Sequence, residues 1–381
     1  MQTSNVCAPI NGNNGTIFVA LELSQKTWLV TMHSPDQNRM SRHKLTGGDH
    51  AGLLALIERV RARATRALGF TPSVVGCYEA GYDGFWLHRL LTAAGITNYV
   101  IDPASIAVDQ RVRRAKTDRI DNEQMLSRLM AHCRGEPRAL RIVRVPSREQ
   151  EDARRDTREE ERLGKEQTAH INRMKALLRL LGMAVGNPRR RDWLAWLAKQ
   201  RDWQGEAVPP RMLAELKREH ARLMLVCEQL AELKKPRPRV ELAPAAAEMA
   251  RRSALLFRLK SLGPAFSRTL TNEVFYKDFR NRREVGGYFG LDGSPWRSGE
   301  IDREQGISKA GNRRARHAAV ELAWLWLRHQ PGSALSRWFC ERTMNASKRI
   351  KRIAIVALAR KLMVALWRYL TTGLIPQGVR S

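Results

Sequence analysis

Four acidic residues stand where carboxylates could do chemistry. Glu22 lies in the β-rich run TIFVALELSQKTWLV (residues 16–30), between Leu21 and Leu23, and Glu79 lies in the short buried-strand pattern SVVGCYEAG (73–81). A carboxylate facing a core is costly unless it is paired or binds a cation. Asp118 and Asp121 fall in RRAKTDRIDNEQML, where a spacing of three puts both on one helical face, a turn apart. Carboxylates converging from two strands and a helix suit one or two Mg²⁺ ions, which in phosphoryl transfer activate a nucleophile and stabilise the leaving oxygen. Taken alone, Asp118 and Asp121 read as charged positions of a solvated helix, paired with Arg114, Arg119 or Arg128. The two strand-borne acids are what favour a site.

A second constellation is the segment GLDGSPWRSGEIDREQGISKAGNRRARHAAVE (290–321), which sets Ser298 and Gly299 among Arg297, Arg303, Lys309, Arg313, Arg314 and Arg316. A serine hydroxyl beside arginines suits attack on a phosphodiester, with the arginines neutralising charge and Gly299 admitting the DNA backbone closely. Basic loops also serve simply to position phosphates, and Ser294 and Ser308 rival Ser298 on the same argument. The stretch LKSLGPAFSRTLTNEV (259–274) places a Gly-Pro turn between helical flanks, which fits a helix-hairpin-helix facing phosphates or a plain packing unit. Trp193, Trp196, Trp203, Trp324, Trp326 and Trp367 sit at helical spacing among apolar neighbours. That spacing favours packing, with base stacking open to one or two of them.

Composition agrees with a polyanionic partner. The 381 residues hold 67 Lys plus Arg against 38 Asp plus Glu, a formal net charge of +29. Nucleic acid is the commonest partner of such a surface. No apolar run approaches the roughly 20 residues that span a bilayer; the longest apolar stretch, near Ile353 to Leu370, carries Arg360, Lys361 and Arg368. Met1 to Gly15 is polar and does not read as a signal peptide, so a cytoplasmic protein without membrane association is expected. The five cysteines (7, 77, 133, 227, 340) form no CxxC pair and read as reduced thiols rather than zinc ligands or disulfides.

These residues need elements to hold them. Strand, helix, strand patterns alternate over the first 130 or so residues: a helix over Gly52 to Leu68, a strand ending before Gly81, a helix stopping at Gly95, and a strand ending at Pro103. Such alternation predicts an α/β domain with part of its sheet parallel and its functional groups at strand ends. Charged helix follows from Ser147 to Met183, with Ile171, Met174, Leu178 and Leu181 spaced by three and four. Leu213, Leu216, His220, Leu223, Cys227 and Leu230 repeat that spacing, which predicts a helical hairpin or coiled coil. Residues 184–210 form its loop, and KKPRPRVELAP (234–244) reads as a linker to a largely helical C-terminal domain, in which the 290–317 segment reads as loop. The expected domains are thus 1–146 acidic α/β, 147–244 coiled coil, and 245–381 serine-containing.

Five motifs, FVALELSQKTWLV, YEAGYDGFWLHRLL, RAKTDRIDNEQMLSRL, LGPAFSRTLTNEV and the 290–321 segment, together resemble the insertion-sequence transposases that carry a DEDD acidic tetrad and an essential serine, understood as bridge-RNA-guided DNA recombinases. The resemblance runs over nearly the whole chain. It implies a resolvase-like (RNase-H-like) N-terminal domain, a coiled-coil middle, and a C-terminal domain whose serine attacks DNA at a site completed by another subunit's acids. It maps the tetrad, with Mg²⁺, onto Glu22, Glu79, Asp118 and Asp121, and the serine onto Ser298. It further implies a homo-oligomer, dimer or tetramer, acting on donor and target DNA with a structured RNA. Arg114 and Lys116, with basic helices near Arg148 to Arg179 and Arg349 to Arg360, then read as nucleic-acid contacts. Two residues depart from the family pattern: Glu22 stands where Asp is usual, and Ser261 replaces the first glycine of the hairpin turn. The residues also admit a junction-resolving nuclease using the acids alone, or a binding protein without catalysis.

Overall fold

A computed structural model describes residues 15–37, 39–81, 84–103, 118–136, 138–235, 244–298 and 301–380; for 118–121, 245, 296–298 and 301–304 it describes the backbone alone. The chain divides into two compact units, Met1–Val145 and Pro146–Ser381.

The first unit is built on a five-stranded sheet ordered β3-β2-β1-β4-β5. Its strands are β1 (Thr16–Glu22), β2 (Thr27–His33), β3 (Ser41–Thr46), β4 (Ser73–Glu79) and β5 (Thr97–Ile101). β1, β2 and β3 form an antiparallel meander, whereas β4 lies parallel to β1, and β5 parallel to β4. The central strands are buried on both faces, hence their nearly unbroken apolar runs. One face packs Ile17, Val19, Leu21, Val74 and Tyr78 under α1 (His50–Leu68) and α2 (Trp86–Ala93). The other packs Phe18, Ala20, Val75 and Cys77 under Met125, Leu126 and Leu129 of α3 (Asp118–Cys133). Edge strand β3 alternates half-buried and exposed residues. The mixed, partly parallel and helix-covered sheet matches the expected α/β class.

The second unit is mostly helical. Its first long helix, α4 (Arg148–Leu180), starts on a capping box between Ser147 and Gln150. It packs against α6 (Pro210–Leu233), with short α5 (Trp193–Ala198) between them. Partners fall in α6 as they rise in α4: Gln167 meets Cys227, His170 meets Glu219 and Arg173 meets Glu215, so the pair is antiparallel. Beyond it lie α7 (Pro244–Phe257), α8 (Pro264–Glu273), α9 (Arg282–Phe289), strands β6 (Gly293–Ser298) and β7 (Ile301–Ile307), α10 (Arg313–His329), α11 (Ala334–Thr343) and α12 (Lys348–Thr372). Leu270, Phe275, Phe289, Trp326, Leu358 and Leu362 sit in the core of this bundle.

Two local readings change. The 290–317 segment is not all loop, because β6 and β7 pair as an antiparallel hairpin. Its Gly, Pro, Ser and Arg content hides strand periodicity. The tryptophans also divide: Trp193 and Trp326 are buried, while Trp324 is 49% and Trp203 is 84% exposed. No helix among the described residues is long and apolar enough to cross a membrane.

Candidate active site

Glu22 and Glu79 are the last residues of β1 and β4, so they stand at strand ends and not within the strands. The two strands are parallel, with Leu21 opposite Tyr78, which puts Glu22 and Glu79 one step further on at equivalent positions. Side chains alternate along a strand. Both acids therefore share the face of Ala20 and Cys77, the face that α3 covers. Glu79 is exposed, whereas Glu22 is half-buried with its Oε2 out of solvent, so the cost of burying a carboxylate applies in part to Glu22 alone.

The start of α3 is fixed beside them. Asn122, fully buried, donates through Nδ2 to the Leu29 carbonyl at 3.0 Å and to Thr31 Oγ1 at 3.0 Å. Leu29 is the residue paired with Glu22 across β1 and β2. The helical turn that holds Asp118 and Asp121 thus begins over the strand end that holds Glu22. A further tether, Arg42 to Glu123 at 2.8 Å, secures the same turn to β3. Next to Glu79, buried Tyr78 donates to the Gly84 carbonyl at 3.0 Å and accepts from His88 N at 3.3 Å.

The backbone of α3 that carries Asp118 and Asp121 therefore starts at the edge of the sheet where Glu22 and Glu79 end their strands. A set of carboxylates is the donor class that hard divalent cations prefer, so these residues fit a Mg²⁺-type ion. Among the described side chains no group of three His, Cys, Asp or Glu forms a metal cluster; those of Asp118 and Asp121 lie outside that description. Asp102, just beyond β5, also stands at this edge, and Arg141 lies 3.7 Å from its carboxylate. Arg114 and Lys116 lie outside the described residues.

In the second unit, Ser298 ends β6 opposite Ile301, at the far end of the hairpin; Gly299 lies outside the described residues. Ser294 sits at the irregularity between Gly293 and Pro295, and Ser308 follows β7 with its N–H donating to the Asp292 carbonyl at 2.8 Å, so both rivals lie at the hairpin's base. For Arg297 and Arg303, which are paired across the hairpin through Asp302 and Trp296, only the backbone is described.

The base of the hairpin is held by arginines that sequence reasoning assigned to nucleic acid. Arg316 donates through Nη1 to the Phe289 carbonyl at 3.1 Å and the Lys309 carbonyl at 3.0 Å, joining the two ends of the segment. Arg314 pairs with Glu161 at 2.7 Å and lies 3.6 Å from Glu273. Lys309 and Arg313 are exposed. Gly290, at φ 62, lets this base close: a Cβ there would stand 2.1 Å from the Ala310 carbonyl.

Sequence reasoning missed the centre of this network. Glu273, with its side chain 2% exposed, accepts two hydrogen bonds from Arg158, at 2.7 and 3.0 Å, and one from Asn312 at 3.2 Å. Tyr288 donates to the Glu273 carbonyl at 2.6 Å. Tyr288 precedes the hairpin and Asn312 caps the helix that follows it, so Glu273 ties both flanks to α4. Burial pushes the Glu273 pKa up, but Arg158, Asn312 and Arg154 together hold it below the usual carboxylate value. Arg360 on α12 pairs with Asp292 at 2.8 Å, just ahead of β6.

Comparison with known proteins identifies the family of the chain. The family described as "Transposase IS116/IS110/IS902 family" matches residues 253–337, and a transposase family of the DEDD, IS110 type matches residues 20–183. Over 374 residues the chain is 44% identical to the "Putative transposase y4rJ" of Sinorhizobium fredii, spanning 96% of this chain and 94% of that protein. It is 26% identical over 351 residues to the "Putative transposase y4qE" of the same organism, spanning 90% of this chain and 79% of that protein.

Proposed function

From the premise that this chain belongs to the IS116/IS110/IS902 family of transposases, we propose that it cuts and rejoins DNA through a phosphoserine intermediate on Ser298, with Glu22, Glu79, Asp118 and Asp121 as the acidic half of the site. The observation that carries this reading is that Glu22 and Glu79 end neighbouring strands beside the start of α3, the helix that carries Asp118 and Asp121. Glu22 and Glu79 end adjacent parallel strands in register, and Asn122 fastens the first turns of α3 to the partner of Glu22. A strand order with β2 antiparallel and β1, β4 and β5 parallel supports an RNase-H-like reading of the domain. The antiparallel α4–α6 pair supports a coiled-coil middle, and, dividing the second compact unit, we draw the functional division as 1–146, 147–244 and 245–381.

In the exchange, Ser298 Oγ attacks the phosphorus of a phosphodiester. A P–Oγ ester forms as one P–O bond to deoxyribose breaks; the serine proton is lost and the departing oxygen gains one. Attack by a deoxyribose hydroxyl of the other duplex reverses both changes, so bond energy is conserved without a nucleotide cofactor. Arg297, Arg303, Lys309 and Arg313, with Arg114 and Lys116, neutralise phosphate, while Gly299 gives the backbone room. Arg314 and Arg316 act mainly by keeping the hairpin seated. Mg²⁺ bound by the tetrad would supply positive charge to the phosphate oxygens. Completion of the site by another subunit's acids implies a dimer or tetramer, and a structured bridge RNA pairing with donor and target DNA would supply sequence choice.

Ser298→Ala should abolish both strand exchange and the covalent protein–DNA adduct on denaturing gels, while Asp121→Asn should abolish Mg²⁺-dependent turnover. An adduct that persists in Ser298→Ala would move the nucleophile to Ser294 or Ser308. Normal cleavage in Ser298→Ala, lost in Asp121→Asn, would leave a junction-resolving nuclease instead. Sequencing of RNA that co-purifies with the protein tests the guide.

A further inference from the structure

The connection between α4 and α6 holds three tryptophans, and the fold uses only two of them. Trp193 is 1% exposed, stacks on His220 at 5.3 Å and donates through Nε1 to the Val185 carbonyl at 2.7 Å. Trp196 lies against Trp193 with centroids 6.3 Å apart and covers Gly186, where a Cβ would meet its ring at 3.0 Å. Together with Met174, Leu178, Leu197, Val208 and Leu216 they close a small core at the end of the arm. Trp203 is left 84% exposed.

Its exposure is not that of a loose loop. Asp202 accepts from the N–H groups of Gln204 and Glu206, both at 2.9 Å, and its own N–H donates to the Glu206 carbonyl at 2.9 Å. Gly205, at φ 82, completes the turn. Arg201, just before it, is fixed by hydrogen bonds to the carbonyls of Ala198 and Gln200. The chain thus presents an indole on a rigid support, with little ordering left to do on binding.

The surroundings select the partner. Arg189, Arg190, Arg191, Lys199 and Arg201 are all exposed in the same α4–α6 connection; of these, Arg189 also donates to Gln167. Of the nearby acids, Asp192 is paired with Arg190, Asp202 is occupied within the turn and Glu206 is exposed in it, so these five cations outnumber the three carboxylates. An aromatic platform set among arginines is how proteins hold unpaired bases, the ring taking the base and the cations the backbone. A second copy of the chain is disfavoured, since two such tips meeting would oppose like charges in a protein of net charge +29. A duplex fits less well, because its bases are already stacked.

We infer that Trp203 is a stacking site for an unpaired nucleobase of a single-stranded segment, RNA or DNA, at the tip of the α4–α6 arm. The inference needs a nucleic-acid partner but neither the acidic tetrad nor Ser298. Its failure is therefore separable from failure of the strand-exchange reading.

The test uses the full chain and three probes: a short single-stranded RNA carrying 5-iodouridine, the same sequence as DNA carrying 5-iododeoxyuridine, and a blunt duplex. Photocross-linking followed by trypsin should mark the peptide from Asp202 to Arg211, in which Trp203 is the one aromatic. A mark with RNA alone, or with DNA alone, identifies the strand type. At raised salt, Trp203→Ala should weaken single-strand binding roughly 5- to 150-fold, the range for loss of one base–aromatic stack. Trp203→Phe should restore most of it, and duplex affinity should hardly change. Cross-links that avoid this peptide together with unchanged single-strand affinity in Trp203→Ala would overturn the inference. So would a loss of self-association in that variant without a loss of nucleic-acid affinity, which would make the tip a protein interface.

Discussion

Ser261 shows how much one side chain can matter away from the chemistry. It adopts φ 94, in a region where a Cβ is strained and glycine is at ease, and its Oγ is buried without a hydrogen-bond partner. The sequence marks it only as an oddity, a serine where related turns carry glycine; the backbone gives that oddity a physical meaning. Ser261→Gly removes the strain and the orphaned hydroxyl, offset in part by glycine's greater freedom when unfolded, for a net gain of about 1 kcal/mol. In a unit of this size that should raise Tm by about 2–4 °C in a thermal melt. A lower Tm would mean that the hydroxyl has a function in the turn. Glu22 and Glu79 stand out by the same kind of local reading, as carboxylates in apolar runs. Their register was not, because pairing of β1 with β4 joins residues 57 positions apart, as Thr16 with Ser73.

At the scale of elements, the periodic helices were legible and the serine hairpin was not. The α4–α6 pair carries its apolar rows in the sequence, and Leu216, His220, Leu223 and Leu230 are indeed buried. The hairpin's sequence, GSPWRS and IDREQGI, has no such rows, and the residue that fixes its flanks, Glu273, meets Arg158 from 115 positions away. Glu273→Gln should lower stability by about 2–3 kcal/mol, below the usual cost of breaking a buried pair because Arg158 is 49% exposed to water. It should also change the acid limb of the stability curve. A carboxylate whose pKa is depressed in the folded state stabilises above its unfolded pKa, and that stabilisation is lost as pH falls through the folded value. For Glu273 the loss therefore falls below the usual 4.5. Urea midpoints of the native chain should be level with respect to this group above about pH 5 and fall below it. Glu273→Gln should show a shallower fall, the remainder coming from other carboxylates whose pKa values are also lowered, among them Glu248, held at about 2 by Arg251 and Arg252, with Glu161, Glu219 and Glu284. An unchanged slope would show that the charge on Glu273 does not contribute.

For the whole molecule, charge was the most legible property and the least specific one. A net charge of +29 says that the chain binds polyanions, but it does not say which cations touch them. The structure separates two kinds of arginine within a single segment. Arg314 and Arg316 bond to Glu161, Glu273 and backbone carbonyls, while Arg313 and Lys309 stand in solvent. Each phosphate contact releases condensed counterions, so each should contribute about 0.9 to the slope of log affinity against log salt on duplex DNA. Arg313→Gln and Lys309→Gln should therefore each reduce that slope by roughly 0.9 while leaving Tm unchanged. Arg314→Gln and Arg316→Gln should do the reverse, lowering Tm by several degrees and leaving the slope nearly intact, because they act through the seat of the Ser298 hairpin. A salt titration by fluorescence anisotropy with a melt on each variant decides it: a full slope loss in Arg314→Gln at unchanged Tm would make that arginine a phosphate ligand and its carboxylate partners incidental.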